Sequence, residues 1–261
     1  MVLEWLKKFF LYFNDNGYVS TFSDGLGEGA FGGRHFIWMG IVLFLSIGGF
    51  YFFKKYPNYE KKMVLIIVLS LFFVRLFHQT TRAIIGVESP WTQAFPFHMC
   101  TVLTFLLPLT VIFHWDIIKT PVYVLSIMGG VITLLMGDYF GDRFLTFWTL
   151  EGMSAHTILI IVPIYEIAAN KFELNIKKSW QVFIGILILM GWATLANEVF
   201  YVDLDPNYMY LKENALPFGN DQNFFLFYVL IFFLFFGFIY GIPILSKQIK
   251  HPPLVKSESV K

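Results

Sequence analysis

The chain has 261 residues, of which 57% are hydrophobic and only 14% charged, where a soluble domain of this size carries about a quarter charged residues. Its mean hydropathy is +0.64, and its net charge of +1 offers no basic field for nucleic acid. A single cysteine excludes an internal disulfide and a cysteine-rich metal site.

In chain order, Val2 to Phe13 reads as an apolar stretch interrupted by Glu4, Lys7 and Lys8. That interruption argues against a cleaved signal sequence and fits an amphipathic helix at the membrane interface. Asn14 to Arg34 is glycine-rich but matches no phosphate-binding pattern. Seven apolar runs follow, each near the length of a membrane-spanning helix. They cover about 36–53, 63–77 (continuing as helix to about Arg82), 96–113, 121–136, 147–169, 180–201 and 223–245. The expected organisation is an N-terminal amphipathic helix and Gly-rich loop (1–34), a seven-helix transmembrane domain (35–246) and a polar cytoplasmic tail (247–261). The fold class is an all-α polytopic membrane protein, and a bacterial plasma membrane is the expected location.

Lysine and arginine placement sets the orientation. With the first basic connection inside, the inner segments hold twelve: Lys54, Lys55, Lys61, Lys62, Lys119, Lys171, Lys177, Lys178 and the four tail lysines. The outer segments hold six: Lys7, Lys8, Arg34, Arg82, Arg143 and Lys212. The N-terminus is therefore expected outside and the C-terminus inside.

This topology gathers the polar residues of the spans at their outer ends. Arg75, His78, Gln79 and Arg82 share one face of span two by their spacing. His98 and Cys100 begin span three, and Pro96 is expected just inside that helix, where its missing N–H costs nothing. Asp138, Asp142, Arg143 and Glu151 fall on the connection to span five. His156 lies near the start of span five, Asn197 and Glu198 end span six, and Asn207, Tyr208 and Tyr210 lie in the loop after it. Charged groups inside a bilayer are costly unless paired or wet, so the set predicts a polar cavity open to the outer leaflet. The bland alternative pairs Arg75 with a carboxylate such as Glu198 to hold the bundle.

His98 and Cys100 are about 200° apart on a helix and form no direct dyad. A base for Cys100 must come from another element, with His156 and His78 as candidates. Arg75, Arg82 and Asn197 are candidates to stabilise an oxyanion, and Thr101 and Ser154 are alternative nucleophiles. The spacings favour no metal site, and no cofactor is expected.

Three segments together resemble a known family. Phe95-Pro96-Phe97-His98-Met99-Cys100 resembles an "LPLHLC" motif, Ser154-Ala155-His156-Thr157 through Pro163-Ile164-Tyr165 its second histidine helix, and Asn207-Tyr208-Met209-Tyr210-Leu211 its "NYMFL" loop. The family is the YwaF-like bacterial integral membrane proteins, similar to animal transmembrane protein 164. The resemblance spans about Met63 to Leu245. It implies a polytopic fold and a cysteine-dependent acyltransferase that moves fatty acyl groups between phospholipids. By matched motifs, Cys100 is the implied acyl acceptor and His156 the implied base; His98 belongs to the first motif. After the tyrosine loop the chain departs, since Lys212 to Gly219 lacks the family's second Pro-Trp-Pro.

The expected partners are thus the bilayer and a phospholipid or fatty-acyl lipid, with no nucleic acid. Cys100, His156 and His98 are the expected catalytic residues. Arg75, His78, Gln79, Arg82, Asn197, Glu198, Asn207, Tyr208 and Tyr210 are the expected substrate-binding ones. The rival reading is a non-catalytic binder or transporter of a small polar or anionic solute.

Overall fold

A computed structural model describes residues 31–85, 95–137, 146–201, 203, 205–214 and 219–250, with the side chains of 81–85 and 242–250 outside the description. The expected N-terminal helix, Asp138, Asp142, Arg143, the side chain of Arg82 and residues 251–261 of the tail therefore lie outside the described residues.

Among the described residues there is no strand. Seven apolar helices run in order: α1 (Gly33–Lys55), α2 (Glu60–Ile85), α3 (Met99–Ile112), α4 (Asp116–Met136), α5 (Phe147–Ala168), α6 (Trp180–Leu195) and α7 (Phe224–Lys250). A π-helical turn, Ala196–Phe200, extends α6. Six of these segments are long and apolar enough to cross a membrane, and α3 is a shorter apolar helix. The chain is a multi-pass membrane protein.

Two helix starts differ from expectation. Pro96 lies outside α3, whose N-cap is His98 and whose first residue is Met99. Cys100 is thus the second residue of the helix, about 1.5 Å along its axis from the start. Helix α4 begins at Asp116 and encloses Pro121. A carboxylate in the first turn favours that earlier start. Pro121 lacks the N–H that would bond back along the helix, and its ring sits where Gly185 of α6 leaves room: a Cβ at Gly185 would lie 2.8 Å from Pro121 Cβ.

Helices α4 and α5 form the centre. Helix α5 packs against α1, α2, α3 and α4, while α4 packs against α3, α5, α6 and α7. Lipid offers no hydrophobic driving force between helices, so close backbone approach and polar contacts must hold them. Both occur here. A Cβ at Gly49 of α1 would lie 2.1 Å from the Tyr165 ring of α5, and the Tyr165 hydroxyl donates to the Leu45 carbonyl at 3.1 Å. The fully buried His35 of α1 donates from Nε2 to the Leu134 carbonyl of α4 at 2.7 Å, while its Nδ1 accepts from the Phe31 N–H. The main core combines Val64, Val68, Leu103, Leu107, Tyr123, Leu125, Leu159 and Val162. Helix α7 instead exposes Phe225, Leu226, Leu230, Phe233, Leu234 and Phe238, as a lipid-facing helix does.

Candidate functional site

The C-terminal end of α2 and the N-terminal ends of α3 and α5 meet in a charged cluster, at the end of the bundle expected to face outward and called the outer end below. Arg75 of α2 donates from Nη1 to both carboxylate oxygens of Glu151, at 3.1 and 3.0 Å, and from Nη2 to Thr101 Oγ1 at 3.1 Å. His78, one turn further along α2, donates from Nδ1 to Glu151 Oε2. The Trp148 ring lies 4.2 Å from the His78 ring, centroid to centroid. Arg75, His78, Gln79 and Glu151 are all buried. The partner of Arg75 is therefore Glu151 rather than Glu198. Glu198 is exposed, and its nearest cation is Lys212 at 3.9 Å.

The helix start explains Glu151. Thr146 caps α5, its Oγ1 accepting from Thr149 N–H at 3.1 Å, so the helix begins at Phe147 and Glu151 falls within it. Glu151 was expected on the connection. The signal for its role was present in the sequence: a carboxylate next to an apolar run, at the same depth as an intramembrane arginine that needed a counter-charge.

Cys100 faces α4. The residue is half-buried; its sulfur lies 3.8 Å from Thr133 Oγ1, and a Cβ on Gly129 would come within 3.0 Å of it. The next residue, Gly130, meets α5: a Cβ there would lie 2.8 Å from the His156 carbonyl oxygen and 2.7 Å from Ile160 Cγ1. Two successive glycines thus bring the thiol-bearing turn of α3 and the histidine-bearing turn of α5 against the same stretch of α4. Buried His156 donates from Nδ1 to the Gly152 carbonyl at 2.7 Å, an assignment that leaves the lone pair on Nε2. The Arg75 guanidinium is close enough for its charge to act on Cys100, His98, His156 and Glu151.

His98, Asn197, Asn207, Tyr208 and Tyr210 form a second group, above the start of α3. The Asn197 amide accepts from Tyr208 N–H at 2.8 Å and donates to the Tyr208 carbonyl at 3.1 Å. His98 Nδ1 accepts from Met209 N–H at 3.3 Å, and its ring lies 5.2 Å from that of Tyr208 and 5.7 Å from that of Tyr210. Asn207 Oδ1 accepts from Lys212 N–H at 3.0 Å, closing the loop on itself. Phe97 packs against Trp192, Tyr201 and Tyr208, and Trp192 Nε1 donates to the Pro96 carbonyl at 2.8 Å. His98, in extended backbone at the N-cap, thus faces the loop, and Cys100, inside the helix, faces α4.

The inner end carries a polar cluster that the sequence reading missed. Glu166 of α5 accepts from the Tyr123 hydroxyl at 2.7 Å, and Lys119 Nζ lies 2.6 Å from its other oxygen. That ammonium also sits 5.3 Å from the Tyr123 ring centroid. Buried Glu60 lies within electrostatic reach of the same group.

A seven-helix bundle with a buried arginine–glutamate–histidine cluster beside a helix-start cysteine defines a class of polytopic membrane protein with a polar site at one end of its helices. A family model, the TMEM164 family, matches residues 30–240, and the chain belongs to that family. No curated protein and no solved structure matches the chain.

Proposed function

We propose that the protein is a membrane-embedded acyltransferase or lipid-ester hydrolase that acts on phospholipid acyl chains through Cys100 near the outer leaflet. The observation that carries this reading is the Gly129–Gly130 seam, against which both the Cys100 sulfur and the His156 turn pack. In the first step His156 Nε2 takes the thiol proton while sulfur bonds the ester carbonyl carbon. The ester C–O bond breaks, and the departing alkoxide takes the proton back from the imidazolium. In the second step an acceptor O–H loses its proton to His156 as its oxygen bonds the thioester carbon. The C–S bond breaks and the proton returns to sulfur.

With Arg75 bound to Glu151 and Thr101, phosphate recognition is assigned to Arg82, seven residues further out on the same helix, whose planar fork suits it. Tyr208 and Tyr210, held by Asn197, Asn207 and His98, border the lipid's approach to the start of α3, with Glu198 and Lys212 at the rim. Arg75, His78 and Gln79 act from beneath.

Mass spectrometry of the purified protein in phosphatidylcholine nanodiscs tests the reading. An acyl group is expected on Cys100 and is expected to vanish in Cys100→Ala. Lipid remodelling that persists in both Cys100→Ala and Cys100→Ser overturns the assignment. Solute uptake that survives Cys100→Ala but fails in Arg75→Ala replaces it with the transporter reading.

A further inference from the structure

Among the polar atoms that the bonds within the outer cluster leave over, two lie on α2. Arg75 Nε, a donor, and Gln79 Oε1, an acceptor, are buried without a hydrogen bond among the described residues. Arg75 is 8% exposed and Gln79 7%. Four residues apart on α2, they lie on one face of the helix, with their Cβ atoms about 6 Å apart. A buried unmet donor and a buried unmet acceptor on one helix face are a costly arrangement in a bilayer, where bulk water does not satisfy either.

We propose that Arg75 Nε and Gln79 Oε1 form a seat for a hydroxyl group, and that this is where the acyl acceptor of the proposed reaction waits. The inference rests on the acyl-Cys100 reading for its catalytic meaning. A hydroxyl is matched to the pair: its oxygen accepts the N–H and its proton goes to the amide oxygen. A phosphate or carbonyl oxygen satisfies only the donor. Glu151 already balances the arginine charge, which removes the pull on an anion, and an ammonium group would meet a guanidinium. Nη2 of the same guanidinium holds Thr101, the neighbour of Cys100, so the seat adjoins the turn that carries the nucleophile. Two sources supply the chemistry. A lipid alcohol in the seat makes the protein a transferase; water makes it a hydrolase.

The experiment loads Cys100 from phosphatidylcholine in nanodiscs and follows loss of the thioester with and without added monoacylglycerol. Gln79→Met, close in shape but lacking the acceptor, is expected to slow discharge at least tenfold. Slowed ester formation identifies the alcohol as occupant, and slowed release of free fatty acid identifies water. Discharge at the wild-type rate along both routes overturns the seat. A second measurement needs no thioester: a diazirine-bearing monoacylglycerol is expected to label the α2 peptide containing Arg75 and Gln79. The free alcohol should compete, its O-methyl ether should not, and Gln79→Met should abolish the labelling. Labelling that is unchanged in the variant overturns the proposal. A wild-type Cys100 that never acylates defeats the acyl-transfer reading alone, because the labelling still reads the seat.

Discussion

The two ends of the bundle solve one problem differently. At the inner end, one oxygen of Glu166 accepts from the Tyr123 hydroxyl, while the other meets Lys119 as an ion pair without a hydrogen bond, so the carboxylate charge is balanced within the cluster. At the outer end, Glu151 is equally well served by Arg75 and His78. That cluster nevertheless retains an unmet donor and acceptor, at Arg75 Nε and Gln79 Oε1. Both clusters tie α5 to its neighbours. A carboxylate whose charge is met by a lysine holds helices together, whereas a cluster that keeps both a donor and an acceptor over is suited to receive something.

Substitutions sharpen that contrast. The largest effect is expected from Glu151→Leu, which strands the Arg75 charge in the bundle at a cost of about 3–5 kcal/mol. Unfolding in mixed detergent micelles measures it. Adding Arg75→Leu should restore much of the loss, because the double variant removes both charges; a double variant no more stable than Glu151→Leu breaks the account. Gly130→Ala comes next. Its methyl would press on the His156 carbonyl, an overpacking cost of about 1–3 kcal/mol. Gly48→Ala, with open space around it, is the neutral control. Asn197→Ala removes both bonds to Tyr208 and is expected to cost roughly 1–3 kcal/mol, with faster proteolysis between α6 and α7. Tyr123→Phe removes one bond of the inner cluster. It is expected to cost about 1 kcal/mol while Cys100 acylation continues unchanged; loss of acylation would show that the inner cluster is more than a tie.

Lys212→Ala should have the smallest effect. Its hydrogen bond to Asp205 raises the Lys212 pKa above the ordinary lysine value. Any stability from that bond is therefore complete at neutral pH and lost only as pH climbs through the raised value. The difference in Tm between Lys212→Ala and the parent should thus stay flat between about pH 6 and pH 8, and close to zero because the pair is exposed.

Much of the architecture was legible in the residues. Six helices long enough to span and one shorter apolar helix stand where the seven apolar runs lie, and the charged cluster of Arg75, His78 and Glu151 sits at the end where alternation of the chain across the bilayer gathers polar groups. Spacing along α2 correctly grouped Arg75, His78 and Gln79. What the sequence concealed was pairing between helices. Glu151 and Glu198 are both carboxylates at the right depth, and only the start of α5 at its Thr146 cap turns Glu151 inward. Pro96 was expected just inside its helix and residue 121 as the first of its run, yet Pro96 lies before its helix and Pro121 inside one. The rule for proline at helix starts describes where it is tolerated, not where a helix must begin. The inner cluster escaped because Lys119 counted as a topology signal and Tyr123 as an apolar residue, while one carboxylate, Glu166, employs both. The Gly129–Gly130 pair lets α3 and α5 approach α4 closely, a role that shows only once the helices are packed.

Met209 and Tyr210 both have φ of 55°, a left-handed backbone that costs a side-chain-bearing residue roughly 1–2 kcal/mol. Consecutive positions of this kind do not hold their shape unaided. The bend over the start of α3 is imposed by Asn197 and His98, which belong to two different helices. Its formation must therefore follow the pairing of those helices, making this crown the last piece of the outer face to set and the first to loosen when α6 shifts.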